Sequence, residues 1–191
     1  MNHLFPVFLK LNHLHLLLVG GGNVGLEKLT ALLANSPDAR VTVVATTFLP
    51  EVRQLASDRV VLLERPFEWD DLSEKDLVIL ATDNPSLHAS ICEKARQLRL
   101  LTNVADTPDL CDFYLSSVVR KGDLKIAIST NGKSPTVAKR LKEFLTDVIP
   151  DNIQEILDNL TVIRNRIQGD FKEKVDQLNK LTQGLVNKKP E

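Results

Sequence analysis

Leu14-His15-Leu16-Leu17-Leu18-Val19-Gly20-Gly21-Gly22-Asn23-Val24-Gly25 carries an apolar run straight into three glycines. The residues that follow, Leu26-Glu27-Lys28-Leu29-Thr30-Ala31-Leu32-Leu33, have the periodicity of an amphipathic helix. Strand, glycine turn and helix in that order are the setting in which G-x-G-x-x-G holds a dinucleotide, and Gly20, Gly22 and Gly25 have that spacing. Gly20 permits the tight turn, Gly22 lets the backbone approach a pyrophosphate, and Gly25 lets the helix sit close to the sheet. The helix N-terminus adds unpaired N–H groups and the positive end of its dipole. Gly21, Asn23 and Val24 complete the cofactor-binding candidates in this turn. The same spacing also occurs in glycine turns that bind nothing; the flanking strand and helix favour the binding reading.

Outward from this stretch, apolar runs at 40–45, 60–64, 77–81 and 100–105 read as further strands. Helices are expected at 24–35, from 49 or 50 to 57, and at 85–98 behind an Asn84 N-cap, with a helical turn at Asp70-Asp71-Leu72. Strands apolar on both faces that alternate with helices predict a Rossmann-like α/β fold: a doubly wound parallel sheet with its ligand at the carboxyl ends of the strands. Past Asp106 the pattern changes. Residues 113–119 and 124–129 read as two strands joined by Arg120-Lys121-Gly122-Asp123, an antiparallel hairpin, and a helix is expected over 136–148, ended by Pro150. Ile153, Ile156, Leu157, Leu160, Ile163, Ile167, Phe171, Val175, Leu178, Leu181 and Leu185 then recur at spacings of three and four. This predicts a helical tail broken near Gly169-Asp170 and frayed over 187–191, its apolar face buried on the chain's own body or on a second subunit.

Composition excludes several classes. The formal net charge is −1, so bulk charge gives no sign of nucleic-acid binding. No apolar run is long enough to span a membrane, and the start lacks the basic region of a signal peptide. Cys92 and Cys111 form no C-x-x-C, which argues against a disulfide framework and fits a reducing cytoplasm. His3, His13, His15 and His88 have no metal-ligand spacing, so no metal site is expected. Gly132-Lys133-Ser134 lacks the upstream glycine of a P-loop, and no G-x-S-x-G elbow occurs.

Chemistry is expected at the strand ends. A dinucleotide fold usually places an acidic residue after its second strand to hold the adenosine ribose. Here the position holds Thr46 and Thr47, which suit a ribose, a 2′-phosphate or simple turn chemistry. Thr82 and Asn103 stand at the ends of the fourth and fifth strands. Asp106 follows; partly desolvated beside a ligand, its carboxylate would serve as a base, and the alternative is a turn cap with Thr107-Pro108-Asp109. Ser129, Thr130, Asn131 and Lys133 lie in a donor-rich loop before a helix, suited to an anionic group or to capping by Ser134 and Pro135. Arg120, Lys121, Lys133, Lys139 and Arg140 either meet an acidic substrate or form a solvated basic face.

Phe5-Pro6-Val7-Phe8-Leu9, Val19-Gly20-Gly21-Gly22-Asn23-Val24, Ala81-Thr82-Asp83-Asn84, Asn103-Val104-Ala105-Asp106 and Ile128-Ser129-Thr130-Asn131-Gly132-Lys133-Ser134-Pro135 occur in one order. In these motifs the chain resembles the precorrin-2 dehydrogenase and sirohydrochlorin ferrochelatase family, the N-terminal module of siroheme synthase, through about residue 150. The tail resembles the family's helical C-terminal segment only in pattern.

The resemblance implies NAD-dependent oxidation of precorrin-2 to sirohydrochlorin, with Asn23, Val24, Thr46 and Thr47 touching NAD and Asp106 as the catalytic aspartate. Substrate contacts are then expected from Ser116, Ser129, Thr130, Asn131 and Lys133. It also implies a homodimer in which the hairpin and following helices are exchanged or packed between subunits. Residues 1–110 form the NAD-binding domain on this reading, 111–150 the dimerisation and substrate segment, and 151–191 the helical C-terminal segment. Some members also insert ferrous ion into sirohydrochlorin, and Asp106 suits both reactions, so this stays open. The 191 residues hold no methyltransferase module, so methylation of uroporphyrinogen is expected from another protein. Two other readings compete: a non-enzymatic NAD-sensing module, which needs neither Asp106 nor the 129–135 loop, and a chelatase that has lost NAD, against which the intact glycine spacing speaks.

Overall fold

The computed structural model describes residues 2–167 and 171–186. It divides into two compact units, Met1–Ser116 with Ser129–Ser134, and Ser117–Ile128 with Pro135–Glu191.

In the first unit β1 (His15–Val19), β2 (Arg40–Ala45), β3 (Val60–Glu64), β4 (Leu77–Leu80) and β5 (Leu101–Val104) form one parallel sheet in the order β3-β2-β1-β4-β5. Helices α1 (Asn23–Asn35), α2 (Pro50–Gln54) and α3 (Pro85–Gln97) make the crossovers, so the doubly wound fold expected from the sequence is present. Successive strand residues face opposite sides of a sheet. Leu16, Leu18, Val41, Val43 and Ile79 therefore build one core with Leu29 and Leu32 of α1. Leu17, Val19, Val44, Val78 and Leu80 build the other with Ile91, Cys92 and Ala95 of α3. β1 and β4 are buried on both faces, as parallel central strands must be, whereas β3, at an edge, exposes Val61. Asn84 caps α3 as its position implied: its Oδ1 accepts from Leu87 N at 3.0 Å.

Boundaries differ from the sequence reading at several points, α2 among them, which ends at Gln54 rather than at 57. Residues 113–116 are not strand. Phe113 and Leu115 pack on the first core, and Asn103 Nδ2 donates to Phe113 O at 2.8 Å, so this apolar alternation serves the first unit. The opening residues 5–9 have no regular structure, and Phe5 and Phe8 are exposed; Leu11 and Leu14 are the ones that reach the core.

In the second unit β6 (Ser117–Lys121) pairs antiparallel with β7 (Leu124–Ile128). Arg120 and Lys121 belong to β6, and the turn is Gly122-Asp123, where Gly122 has φ +57°. Then come α4 (Pro135–Val148), α5 (Ile153–Arg166) and α6 (Phe171–Val186). The expected break at Gly169-Asp170 and the end over 187–191 lie outside the described residues. Lys121 Nζ reaches Ile149 O and the Asp151 carboxylate (2.7 Å), and Gln154 Oε1 accepts from Asp123 N at 2.7 Å. Lys121 thus holds the α4–α5 junction to the hairpin and is not a free cation for a substrate.

A Cβ at residue 25 would lie 2.2 Å from Gly20 O, a backbone atom that no rotamer change moves. Gly25→Ala is expected to destabilise the protein by about 2 kcal/mol or more, as forced overpacking does, visible as a lowered urea midpoint. An unchanged midpoint would show that α1 shifts freely from the turn.

Candidate functional site

The chain runs from β1 to β2 and β3 on one side and returns to β4 and β5 on the other, so the order reverses between β1 and β4. Ligands of doubly wound sheets sit at that reversal, outside the carboxyl ends of the strands. Hydrogen bonds lace this edge together: Gly20 N to Val44 O (2.9 Å), Leu49 N to Gly21 O (3.0 Å), Ala81 N to Val19 O (2.8 Å) and Ala105 N to Leu80 O (2.9 Å). The glycine turn and the loops that carry Thr46, Thr47, Thr82 and Asp106 are thereby gathered on one rim.

The steric demands at Gly20 and Gly25 are those the spacing implied. Gly20 has φ +128°, and a Cβ there would meet Ala81 O at 2.3 Å. A Cβ on Gly21 would meet Thr47 O at 2.4 Å, so this glycine lets the 46–48 loop close on the turn. A Cβ on Gly22 would meet nothing within 4 Å. Gly22 is the N-cap of α1 and supplies no side chain to its first turn; Leu26 N donates to Gly22 O at 2.9 Å. An exposed patch of backbone at a helix N-terminus is what a pyrophosphate needs, and the space a side chain would fill is open. The rim thus fits a dinucleotide, with Asn23, Val24, Thr46 and Thr47 exposed around it.

Asp106 follows β5 on the same rim with φ +56°, the left-handed region that few non-glycine residues enter. The tight turn there is held by Thr107, whose N donates to Val104 O (3.4 Å) and whose Oγ1 donates to Ala105 O (3.3 Å). Asp106 is exposed, so the partial desolvation that the sequence reading invoked does not come from the chain's own residues.

Asn103 lies inside. It is 6% exposed, and its amide holds Phe113 O and touches Cys111 Sγ. Ser116 is half-buried at the end of the first unit. The loop Ser129–Ser134 groups with the first unit although β6 and β7 precede it in the chain. Its shape is internally fixed: Thr130 Oγ1 accepts from Ser134 N (3.1 Å), Ser129 Oγ accepts from Asn131 N (3.2 Å), and Asn131 and Gly132 are both left-handed. Lys133 is exposed on it.

The family profile described as "Putative NAD(P)-binding" matches residues 7–117. The chain belongs to this family. A second profile, "Sirohaem biosynthesis protein central", matches residues 121–147. Siroheme synthase of Ruthia magnifica subsp. Calyptogena magnifica is 33% identical over 93% of this chain and 35% of its own length. Siroheme synthase of Yersinia pestis is 34% identical over 96% of this chain and 40% of its own length. The chain therefore spans between a third and two fifths of these relatives. The solved structure of SirC, a precorrin-2 dehydrogenase, superposes with TM-score 0.75 at 24% identity, covering 93% of this chain and 89% of that one, which shows the shared fold. The resemblance to the N-terminal module of siroheme synthase is borne out.

His88 has no metal-ligand spacing, and no motif marks it as a site residue. It stands on α3 in register with Ile91, Cys92 and Ala95, the buried stripe, and that periodicity was its signal. His88 is 4% exposed, and its Nε2 lies 2.8 Å from Thr82 Oγ1. Burial pushes its pKa below the ordinary histidine value of 6.5, against the opposing charge of Asp83. His15, at the opposite end of the sheet, is lowered by burial and by Lys75 and Arg40, with Asp76 opposing. Cys92 and Cys111 are both raised by burial, which keeps them as unreactive thiols. Among the described residues no group of three or more His, Cys, Asp or Glu converges on one point. No described helix is long and apolar enough to cross a membrane.

For a histidine whose folded pKa is depressed, the unfolded chain binds the proton first, so stability is full above pH 6.5 and is lost as pH falls from there through the folded value. The free energy of unfolding is expected to decline over that window, and His88→Gln should flatten the decline, leaving the part due to His15. Parallel urea titrations of both proteins at several pH values check this; identical slopes would mean that His88 titrates alike in both states.

Proposed function

We propose that the chain oxidises precorrin-2 to sirohydrochlorin with NAD as the acceptor. The observation that carries the reading is the open space at Gly22, at the sheet's reversal point, with Asp106 on the same rim. Membership of an NAD(P)-binding family, relatives named siroheme synthase, and the fold of a precorrin-2 dehydrogenase support it.

The residues take the following roles on this reading. Gly20, Gly21, Gly22 and Gly25 shape the turn, and the first-turn N–H groups at Asn23 and Val24 receive the pyrophosphate. Thr46 and Thr47, after β2, take the adenosine ribose, and no carboxylate stands at that position to repel a 2′-phosphate. Thr82, after β4, serves the nicotinamide half, and Asn103 braces β5 from within. A bound nicotinamide supplies the hydride acceptor. The Asp106 carboxylate takes the proton that leaves the tetrapyrrole as the hydride departs, so hydride and proton are both accounted for. Ser116, Ser129, Thr130, Asn131 and Lys133 receive the carboxylates of this polyanionic substrate, and the preset loop at 129–134 limits the entropy lost on binding. Residues 1–110 act as the nucleotide-binding domain, 111–150 as the dimerisation and substrate segment, and 151–191 as the C-terminal segment. A cytoplasmic setting suits the two reduced thiols.

The dimer reading rests on α4. Val137, Leu141, Phe144 and Val148 recur at spacings of four, three and four, and all are exposed. A second copy of this chain would bury that stripe. Leu141→Asp with Phe144→Asp is expected to give a monomer by sedimentation where the parent is a dimer. A parent that sediments as a monomer would remove the dimer.

The function is tested anaerobically with precorrin-2 and NAD, followed by absorbance, with ferrous ion added afterwards. NAD-dependent formation of sirohydrochlorin is expected, and Asp106→Asn should lower turnover at least a hundred-fold, the usual worth of a general base, with NAD still bound. Protein-accelerated metal insertion would add the chelatase. No oxidation by folded protein that binds the nucleotide would favour a sensor.

A further inference from the structure

The described residues hold four buried polar or charged side chains: Asp71, His88, Thr102 and Asn103. Three of them brace the chain. Asp71 is paired with the Arg65 guanidinium (2.5 and 2.9 Å) and accepts from Glu68 N. Thr102 Oγ1 bonds Leu110 O and the Asp112 carboxylate, and Asn103 holds Phe113 O. His88 is different. Its partner is the hydroxyl of Thr82, a half-buried residue on the rim of the nucleotide site.

Core packing does not require this pair. An apolar residue at position 88 would continue the stripe with Ile91, Cys92 and Ala95. Replacing two bonded polar groups by apolar ones of the same shape is nearly neutral for stability, whereas a buried imidazole without its partner is costly. The pair does have a geometric consequence. A hydroxyl has one proton and two lone-pair directions, and its rotor is free unless a neighbour fixes it. Thr82 Oγ1 has two neighbours inside the protein, His88 Nε2 at 2.8 Å and Asn84 N, which donates at 3.4 Å. Of the hydroxyl's three hydrogen-bonding directions these two partners take two, which leaves one for a ligand. Thr46 and Thr47 follow β2 on one side of the reversal point, and Thr82 follows β4 on the other.

We propose that His88 is a positioning residue that fixes the Thr82 hydroxyl so that it meets the nicotinamide half of a bound dinucleotide in a single orientation. This rests on the dinucleotide reading given above. The imidazole acts through Thr82 and touches no ligand itself. The charged group that faces it is Asp83. Burial keeps the ring neutral at neutral pH, so one nitrogen is free to accept; protonation makes both nitrogens donors and changes what Oγ1 offers outward. Dinucleotide binding by the wild-type protein should therefore weaken on the acid side.

The test is calorimetric titration of the full chain with NAD between pH 5 and 8, for wild type, Thr82→Val, His88→Phe, His88→Gln and the Thr82→Val/His88→Phe pair. Gly22→Asp, which sets bulk and negative charge in the open space, is the non-binding control. Each of Thr82→Val and His88→Phe is expected to weaken NAD roughly five-fold, the worth of one net hydrogen bond, with the double variant no weaker than either single one. His88→Gln, whose amide supplies an acceptor to the same hydroxyl, should restore the affinity and abolish the loss on the acid side. Thr82→Val and His88→Gln keep the test standing if the phenylalanine variant fails to fold. Affinity unchanged in Thr82→Val, losses that add in the double variant, or an acid-side profile that persists in His88→Gln would each overturn the proposal and leave the dinucleotide reading intact. Wild-type protein that binds neither NAD nor NADP would overturn that reading, and the proposal with it.

Discussion

Three close backbone approaches at one turn constrain the rest of the first unit. The Cα of Gly25 sits over the carbonyl of Gly20, the Cα of Gly20 over the carbonyl of Ala81, and the Cα of Gly21 over the carbonyl of Thr47. The nearest opposing atom is a backbone carbonyl oxygen at each of the three, so no side-chain rearrangement alone would relieve a methyl group there. The contacts tie α1 to the end of β1, β1 to the start of the β4–α3 loop, and the β2–α2 loop to the glycine turn. The rim is closely packed for that reason. Gly22, the one residue of the group with nothing against it, is the place where this packing leaves the backbone open to a ligand. Thr82 stands one residue beyond Ala81, so the same packing that seats Gly20 also fixes where the Thr82–His88 pair lies.

Much of this was legible because burial on both faces writes itself plainly into sequence. β2 and β3 fall on the residues expected, and β1, β4 and β5 within one residue at each end. The steric duties of Gly20 and Gly25 were legible because a strand, a tight turn and a closely packed helix ask for glycine at that spacing. Residues 113–116 misled for an equally physical reason. Phe113 and Leu115 alternate as a strand would, but the pattern records only that both are buried on one side, and here that side is the first core. The left-handed backbone of Asp106 was not legible, since aspartate enters that region only when a turn imposes it. His88 was readable as a member of the α3 stripe; its partner Thr82, six residues back and outside the helix, was not.

Basic residues show the limit of composition. Arg120, Lys121, Lys133, Lys139 and Arg140 look alike in the sequence. In the structure Lys121 is tied to Ile149 and Asp151, some thirty residues on, and Arg140 pairs with Glu143 one turn along α4 at 2.7 Å. The first tie depends on the hairpin and the α4–α5 junction meeting, which no local pattern announces. Exposed pairs such as Arg140–Glu143 contribute little to stability, about 0.3–0.5 kcal/mol, so that residue remains available to another partner at small cost, while Lys121 does not.

The sheet edges bear on how two copies of this chain would meet. An open edge strand invites another strand, and proteins that associate by other surfaces must block it. β5 is blocked from within: Asp112 N donates to Thr102 O at 2.8 Å, and the Asp112 carboxylate accepts from Thr102 N at 2.9 Å. The segment after the 3-10 turn at Pro108–Leu110 thus occupies the ladder positions that a partner strand would need. β3, the other edge, is five residues long and ends at Glu64, which pairs with Arg53 of α2, so a charged pair stands at its end. With one edge occupied and the other short and flanked by charge, extension of the five-stranded parallel sheet is disfavoured. The exposed stripe of α4 then stands out, because Val137, Leu141, Phe144 and Val148 lie on one helix face and leave their apolar area in water. A helix-face contact between copies buries that area and needs no free backbone, so it would hold two chains together without recruiting a third along a sheet edge.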